Sequence, residues 1–435
     1  MTARIRIVSV VATLVCLGPV AARSQDTWAK VLGHWGYFVS GARSAPTSDG
    51  GCVVVGRVPS FGANKTDGLI VKLRADGKVQ WQKMLGGRWW DVFEDVLQTG
   101  DGGYLAVGTH YPSPSTGDLW AVQFDSDGSV LWQRTFAFAK PGEWDAWSEP
   151  IVRELPGGGF LVASFGTVVR LDADGAAVWA KTYALDDAYI ESIEDFRLTP
   201  DGGLVLLLEG ARAGTIVKLD SAGVIEWARR YKSQELGYGR FGRLLALADG
   251  GYLLVGSNPD YAAVLTKVNG KGDVQWSYSY EGFTMASWDT GLFESVDGSV
   301  RIGGSTPSII SVDAAGQFLW GREYRARYSG QNDANGVTLE PGSAGGMFFS
   351  ISRRKADFHL ELESNIVVLQ LAADGSISSC PDLVQDFAVT REDLKVMSVP
   401  VTPSYAEKSL VVTTPVTTVW KAGLLVIDLC ETGEE

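Results

Sequence analysis

The stretch DVLQTGDGGYLAVGTHYPSPSTGDLWAVQFDSDGSVLWQRTF, from Asp95 to Phe136, holds one complete structural unit and decides the fold. A short apolar run enters the turn DGG, and YLAVG follows as a second run. After a variable loop, W-x-V-x-F in DLWAVQFD alternates with the period of two that puts side chains on opposite faces of a strand. DSDG then turns the chain into VLWQRTF. Both turns set Gly between apolar runs, where a hairpin needs the positive φ that Gly accepts. Their Asp side chains suit bonding to the turn backbone. The unit predicts four antiparallel strands, lettered A to D from the centre outward.

The unit recurs along the chain. The first Gly of the DGG turn falls at Gly50, Gly102, Gly158, Gly202, Gly250 and Gly298, with the last near Gly345. The Gly of the second turn falls at Gly77, Gly128, Gly175, Gly223, Gly272, Gly316 and Gly375. A Trp follows four residues later at Trp81, Trp132, Trp179, Trp227, Trp276 and Trp320. Such a Trp is a large apolar plate suited to docking one blade on the next. Self-similarity at this period, with this many strands, predicts an all-β, seven-bladed β-propeller of four-stranded antiparallel blades.

The seventh unit lacks its outer strand, since Ser379 stands where Trp is due. WAKVLG at Trp28 matches WQKMLG at Trp81, one repeat upstream. The N-terminal strand is therefore expected to complete the last blade and remove the open edges of the ring. An open arc of seven units is the alternative.

The pattern DGGYLAVG followed by DLWAVQFDSDGSVLW resembles a repeat of bacterial secreted propellers. It is also similar to the repeat of quinoprotein-type propellers, in which a Gly and a Trp of each last turn dock adjacent blades. The resemblance covers about Trp28 to Gly375 and bears on architecture rather than activity. This sequence departs from the quinoprotein pattern by a shorter Asp-to-Gly spacing in each turn. Residues 381–435 are rich in Val and Thr and read as further β segments lying along the last blade; the resembling proteins often carry Ser/Thr/Val-rich tails after a comparable Cys, which implies an appendage rather than a catalytic unit.

Residues 1–24 read as a secretory signal: Arg4 and Arg6, an apolar run from Ile7 to about Val20, then Ala22 and Ser24 before Gln25. That leaves residues 25–380 for the propeller and 381–435 for the appendage, in a secreted, periplasmic or cell-surface protein. Cys16 invites a lipoprotein reading, which Val15 before it fits poorly. No other run is long and apolar enough to span a bilayer. The net charge of −13 becomes −16 once Arg4, Arg6 and Arg23 are removed. Such acidity repels phosphate backbones, so nucleic acid is not an expected partner, and a soluble monomer is. Cys52 sits inside an apolar strand, while an oxidising compartment would let Cys380 and Cys430 pair. Closing about 50 residues would restrict the unfolded chain by roughly 4 kcal/mol.

Function has to be read from loops, because the blades are scaffold. In a propeller the D-to-A and B-to-C connections share one face. The D-to-A connections are rich in aromatics and acids, bringing Trp35, Trp89, Trp90, Trp144, Trp147, Tyr189, Tyr238 and Trp288 to that face. Asp91, Asp145 and Asp289 each adjoin a Trp, with Arg88 and Arg240 nearby. Aromatic plates stack on sugar C–H faces while carboxylates and Arg bond hydroxyls. A glycan, peptide or protein partner is expected there. The competing reading tucks these aromatics under their own loops as caps.

No cofactor or metal is expected. The acidic turns lack the alternating ligands and distant Glu of a calcium loop. His34, His110 and His359 lie in three different units, which disfavours zinc or a triad. Glu94, Asp95, Glu149, Glu191 and Glu194 lie near starts of strand A, so a polysaccharide hydrolase or lyase is one rival. The others are a quinone-linked oxidoreductase and a purely structural surface protein.

Overall fold

The structure is a computed structural model, and it describes residues 27–33, 40–60, 65–137, 149–185, 192–210, 213–233, 241–285, 291–304, 307–324, 334–342, 345–354, 364–408, 410–420, 424–428 and 430. They form seven antiparallel sheets arranged as blades around one axis. Blade 2 is representative: Asp91–Gln98, Tyr104–Ser113, Thr116–Phe124 and Val130–Ala137 pair in sequence order. The first strands of neighbouring blades touch one another all the way round the axis.

Backbone conformation follows the glycine pattern. All fourteen glycines of the two turn series have positive φ, from 73° at Gly77 to 97° at Gly158. In the first turn of blade 2, Gly102 N–H donates to Thr99 O at 2.8 Å and Thr99 N–H to Gly103 O at 3.0 Å. Asp101 Oδ1 accepts from Thr99 Oγ1 at 2.5 Å and from Gly103 N–H at 3.1 Å. In three blades a buried lysine of strand C adds to this turn: Lys72 reaches Asp49, Lys218 reaches Asp201 and Lys267 reaches Asp249. The Lys218 ammonium holds the Asp201 carboxyl well below the usual carboxylate range.

Packing shows that the ring is closed. The buried apolar residues fall into seven clusters, each spanning two adjacent blades. Seven blades in an open arc would have one cluster fewer. The closing cluster packs Trp28 and Leu32 with Val54, Leu69 and Val71 of blade 1. Trp28–Gly33 pairs antiparallel with Ser364–Leu371, so the N-terminal strand is the fourth of blade 7.

The repeated Trp lies over the second-turn glycine of the following blade. A Cβ added at Gly77 would come within 2.8 Å of the Trp28 ring, one at Gly128 within 2.9 Å of Trp81, and one at Gly175 within 2.7 Å of Trp132. Trp179, Trp227, Trp276 and Trp320 meet Gly223, Gly272, Gly316 and Gly375 in the same way. From blade 3 to blade 6 a second aromatic latches the same turn, as Tyr231 Oη donates to Gly272 O at 2.8 Å. Glycine is thus required twice at these positions, by φ and by the indole above it.

The strand count per blade and the tail differ from expectation. Each blade has five strands, and the fifth comes from the segment after Cys380. That segment does not lie along the last blade. It visits all seven in descending order, because a short Val/Thr-rich strand can pair with any exposed edge, and each four-stranded blade offers one. Val384–Phe387 joins blade 6, Thr390–Asp393 blade 5, Met397–Pro400 blade 4 and Ser404–Glu407 blade 3. Val411–Thr413 joins blade 2, Thr418–Trp420 blade 1, and Leu425–Asp428 joins Trp28–Gly33 in blade 7. Cys380 and Cys430 form a disulfide with Cα atoms 5.1 Å apart.

Candidate functional site

Two places gather side chains beyond what the scaffold needs. The first is the connection from blade 1 to blade 2. Gly87 N–H donates to Asp91 Oδ2 at 2.7 Å, folding the loop back on the start of strand A. His110 Nδ1 lies 2.6 Å from Asp91 Oδ1, and both residues are buried. Thr66 Oγ1 donates to Asp91 O at 3.3 Å, so the B-to-C connection of blade 1 meets the same knot. This knot presents Arg88, Trp89 and Trp90 outward, with Trp90 38% exposed.

The two indoles are not bare. Lys65 Nζ sits 3.6 Å from the Trp89 ring centroid and 4.0 Å from that of Trp90, and the Arg88 guanidinium lies 5.3 Å from Trp89. Tyr111 meets Trp90 edge-on with centroids 6.2 Å apart. Cation–π attraction of this kind is worth about 0.5–2 kcal/mol per contact, depending on desolvation. Lys65 therefore takes up one side of each ring, where a sugar could otherwise stack. No local pattern marks this contact, because Lys65 and Trp89 are far apart in the repeat.

Of the other loop candidates, Trp35, Trp144, Asp145, Trp147, Tyr189, Tyr238, Arg240, Trp288 and Asp289 lie outside the described residues, as do His34, His359 and Glu191. Among the described residues no three His, Cys, Asp or Glu side chains come together as a metal site.

Asp67 lies beneath the knot, 1% exposed, and its Oδ1 has no hydrogen-bond partner among the described residues. Burial pushes its carboxyl up to about 6; the Ser60 hydroxyl opposes the shift and the Asp91 charge adds to it. The folded-state value stands above the unfolded one. Its stabilising contribution is therefore full below about pH 3.8 and lost as pH rises through about 6. Asp67→Asn removes the buried charge. At pH 8 the variant should be more stable by up to about 3 kcal/mol, with the gain vanishing near pH 4. Melting curves at both pH values check this, and an equal gain at both would refute it.

The second place is the axis. Arg43, Asp95, Asp195 and Arg243 stand seven residues before the first-turn Gly of their blades, and Arg153, Arg197 and Glu340 stand five before. In blades 2, 4 and 5 a register irregularity falls just before the first of these positions, and bulges of this kind re-aim the next side chain. Asp95 Oδ2 accepts from Val152 N–H at 2.9 Å and from Arg153 Nη1 at 3.3 Å. Asp195 accepts from Phe196 N–H at 2.8 Å and from Leu244 N–H at 3.0 Å, and pairs with Arg197 at 3.0 Å. Each of these carboxylates thus ties its own blade to the next. Glu149 pairs with Arg43 at 3.3 Å. Burial pushes Glu340 up to about 7 against the pull of Arg153 and Arg197, and pulls Arg197 down to about 10. Sequence reasoning singled out Asp95, Glu149 and Glu194 but missed the arginines and Glu340. The fixed offset from the turn glycine was the signal that would have found them.

The profile of the family described as outer membrane protein assembly factor BamB matches residues 122–339, just over half of the chain. The chain belongs to that family. The match runs from the third strand of blade 2 into the first strand of blade 7. No curated protein matches the sequence. Among solved structures the chain is similar to BBS1N, crystallised in complex with ARL6DN, at 10% identity, covering 82% of this chain and 100% of that one with a TM-score of 0.47. A protein from Lactobacillus plantarum shares 14% identity, covering 86% and 99%, with a TM-score of 0.43. A protein of unknown function from Bacteroides caccae shares 13%, covering 58% and 94%, with a TM-score of 0.36. At these scores the likenesses carry no argument about function. No helix among the described residues is long and apolar enough to cross a membrane.

Proposed function

We propose that this protein is an extracytoplasmic binding propeller that holds a glycan, peptide or protein partner on the face bearing the D-to-A connections. One observation supports this above the rest: Arg88, Trp89, Trp90 and Lys65 form a compact cationic–aromatic knob, held outward by the buried Asp91–His110 knot. Aromatic and Arg side chains presented on a rigid base are what hot spots of recognition are made of. Placement outside the cytoplasm draws support from the leader-like residues 1–24 and from the Cys380–Cys430 disulfide. The matching family is described as an outer membrane protein assembly factor, with which a binding role is compatible.

The Asp91–His110 pair positions the knob and does not act on a ligand itself, because 0% and 8% exposure leave it no approach to a substrate. The doubly substituted Trp89→Ala, Trp90→Ala protein should keep its fold and lose binding at least roughly tenfold, as loss of two hot-spot aromatics implies. Pull-down from extracytoplasmic extract and glycan-array binding, compared between the two proteins, provide the test. Unchanged retention of every ligand by the variant would overturn the assignment of the site.

A further inference from the structure

The segment from Cys380 to Cys430 has a stride that matches the ring. Its strands begin at Val384, Thr390, Met397, Ser404, Val411, Thr418 and Leu425, a first step of six residues and then steps of seven. Each step crosses one blade. Between strands it lowers a side chain toward the groove separating two blades: Val389 packs with the blade 5–6 cluster, Val396 with 4–5, Val401 with 3–4, Leu410 with 2–3 and Leu424 with 7–1. After one full circuit, Cys430 meets Cys380. Lys30 of the N-terminal strand pairs with Asp428 beside the join.

Chain length sets the reach of the circuit. Fifty residues separate the two cysteines. At about 3.3 Å per residue they reach roughly 165 Å when fully extended, or about 23 Å per seven-residue step. The belt is poorly buried: Met397, Val411 and Val416 are 65%, 66% and 92% exposed. Its strands of three or four residues each have a short ladder to the blade and a free outer edge. Without its closure such a segment belongs to the low-stability end of the molecule.

We infer that residues 381–430 are a belt locked by the Cys380–Cys430 buckle, and that thiol–disulfide exchange at the buckle releases it from an intact ring. Cys430 is the partly exposed sulfur, whereas Cys380 is 7% exposed. The thiolate of an external dithiol attacks Cys430 Sγ and displaces Cys380 as its thiolate, which takes up a proton. The second thiol of the reductant resolves the mixed disulfide. Cys380 and Cys430 end as thiols, and the dithiol ends as a disulfide, two electrons having passed. The four inner strands of each blade keep their seven interblade clusters throughout, since strands A to D supply nearly all of each core, Leu424 being the one buried member from the belt strands' span.

Hydrogen exchange on the whole folded protein, before and after dithiothreitol, tests this without any substitution. Amides of 384–428 should lose protection by at least roughly tenfold on reduction, while those of Cys52–Pro59, Tyr104–Ser113 and Leu253–Ser257 keep theirs. Tryptic cleavage at Arg391 or Lys395 should accelerate in parallel. Cys430→Ser, if it folds, should behave as the reduced protein with or without dithiothreitol. Unchanged protection of the tail on reduction would overturn the proposal. So would simultaneous loss of protection in tail and inner strands, because belt and ring would then be one cooperative unit.

Discussion

Deletion of Trp28–Gly33 is expected to leave a chain that does not form the ring. Trp28, Ala29, Val31 and Leu32 are at most 5% exposed, and within blade 7 they face blade 1 on one side and blade 6 on the other. Burying the three large ones contributes about 4.5–9 kcal/mol, against a typical total stability of about 5–15 kcal/mol. Loss of the strand also bares the edge of Ser364–Leu371 and leaves Leu425–Asp428 without a partner. Near-ultraviolet circular dichroism and a thermal melt provide the check. A cooperative transition at the midpoint of the full chain would show that the closing strand is dispensable.

The second large effect is expected at Asp195. This carboxylate is 1% exposed and ties Phe196 N–H, Leu244 N–H and Arg197 together between blades 4 and 5. Asp195→Ala leaves two amides unsatisfied and the Arg197 guanidinium without its charge partner. Breaking a buried pair in this way costs about 3–5 kcal/mol. Asp195→Asn keeps one acceptor and should cost less. Urea denaturation midpoints of the two variants give the comparison, and equal midpoints for Asp195→Ala and the unsubstituted protein would refute the role.

The ring was legible because its determinants are local and repeated. A glycine needing positive φ and a Trp four residues on recur in register, and WAKVLG could be recognised as a missing fourth strand by comparison with WQKMLG. The belt was illegible for the opposite reason. Its strands pair with partners up to several hundred residues away, and three or four residues such as TRED, SYAE or VVT carry no address. Its seven-residue stride is visible only when one knows that each step crosses a blade. Lys65 over Trp89 and Trp90 was hidden likewise, since a contact between the B-to-C connection of one blade and the D-to-A connection leaving it has no sequence signature. At the axis, reading carboxylates without the arginines that neutralise them made Asp95 and Glu149 look like candidate acids. The structure places both in ion pairs.

The tail acts as a ruler whose graduations are blades. Were the ring to gain an eighth unit by duplication, the same seven strands would leave one blade without a fifth strand, one seven-residue stride or about 23 Å of extended chain, and at an unchanged stride the final cysteine would stop one sheet away from the first. Loss of a unit would leave seven residues bulging with nothing to lie on. Growth of this propeller by whole units is therefore tied to matching insertions of seven residues near its other end, a constraint that a ring without such a girdle does not bear.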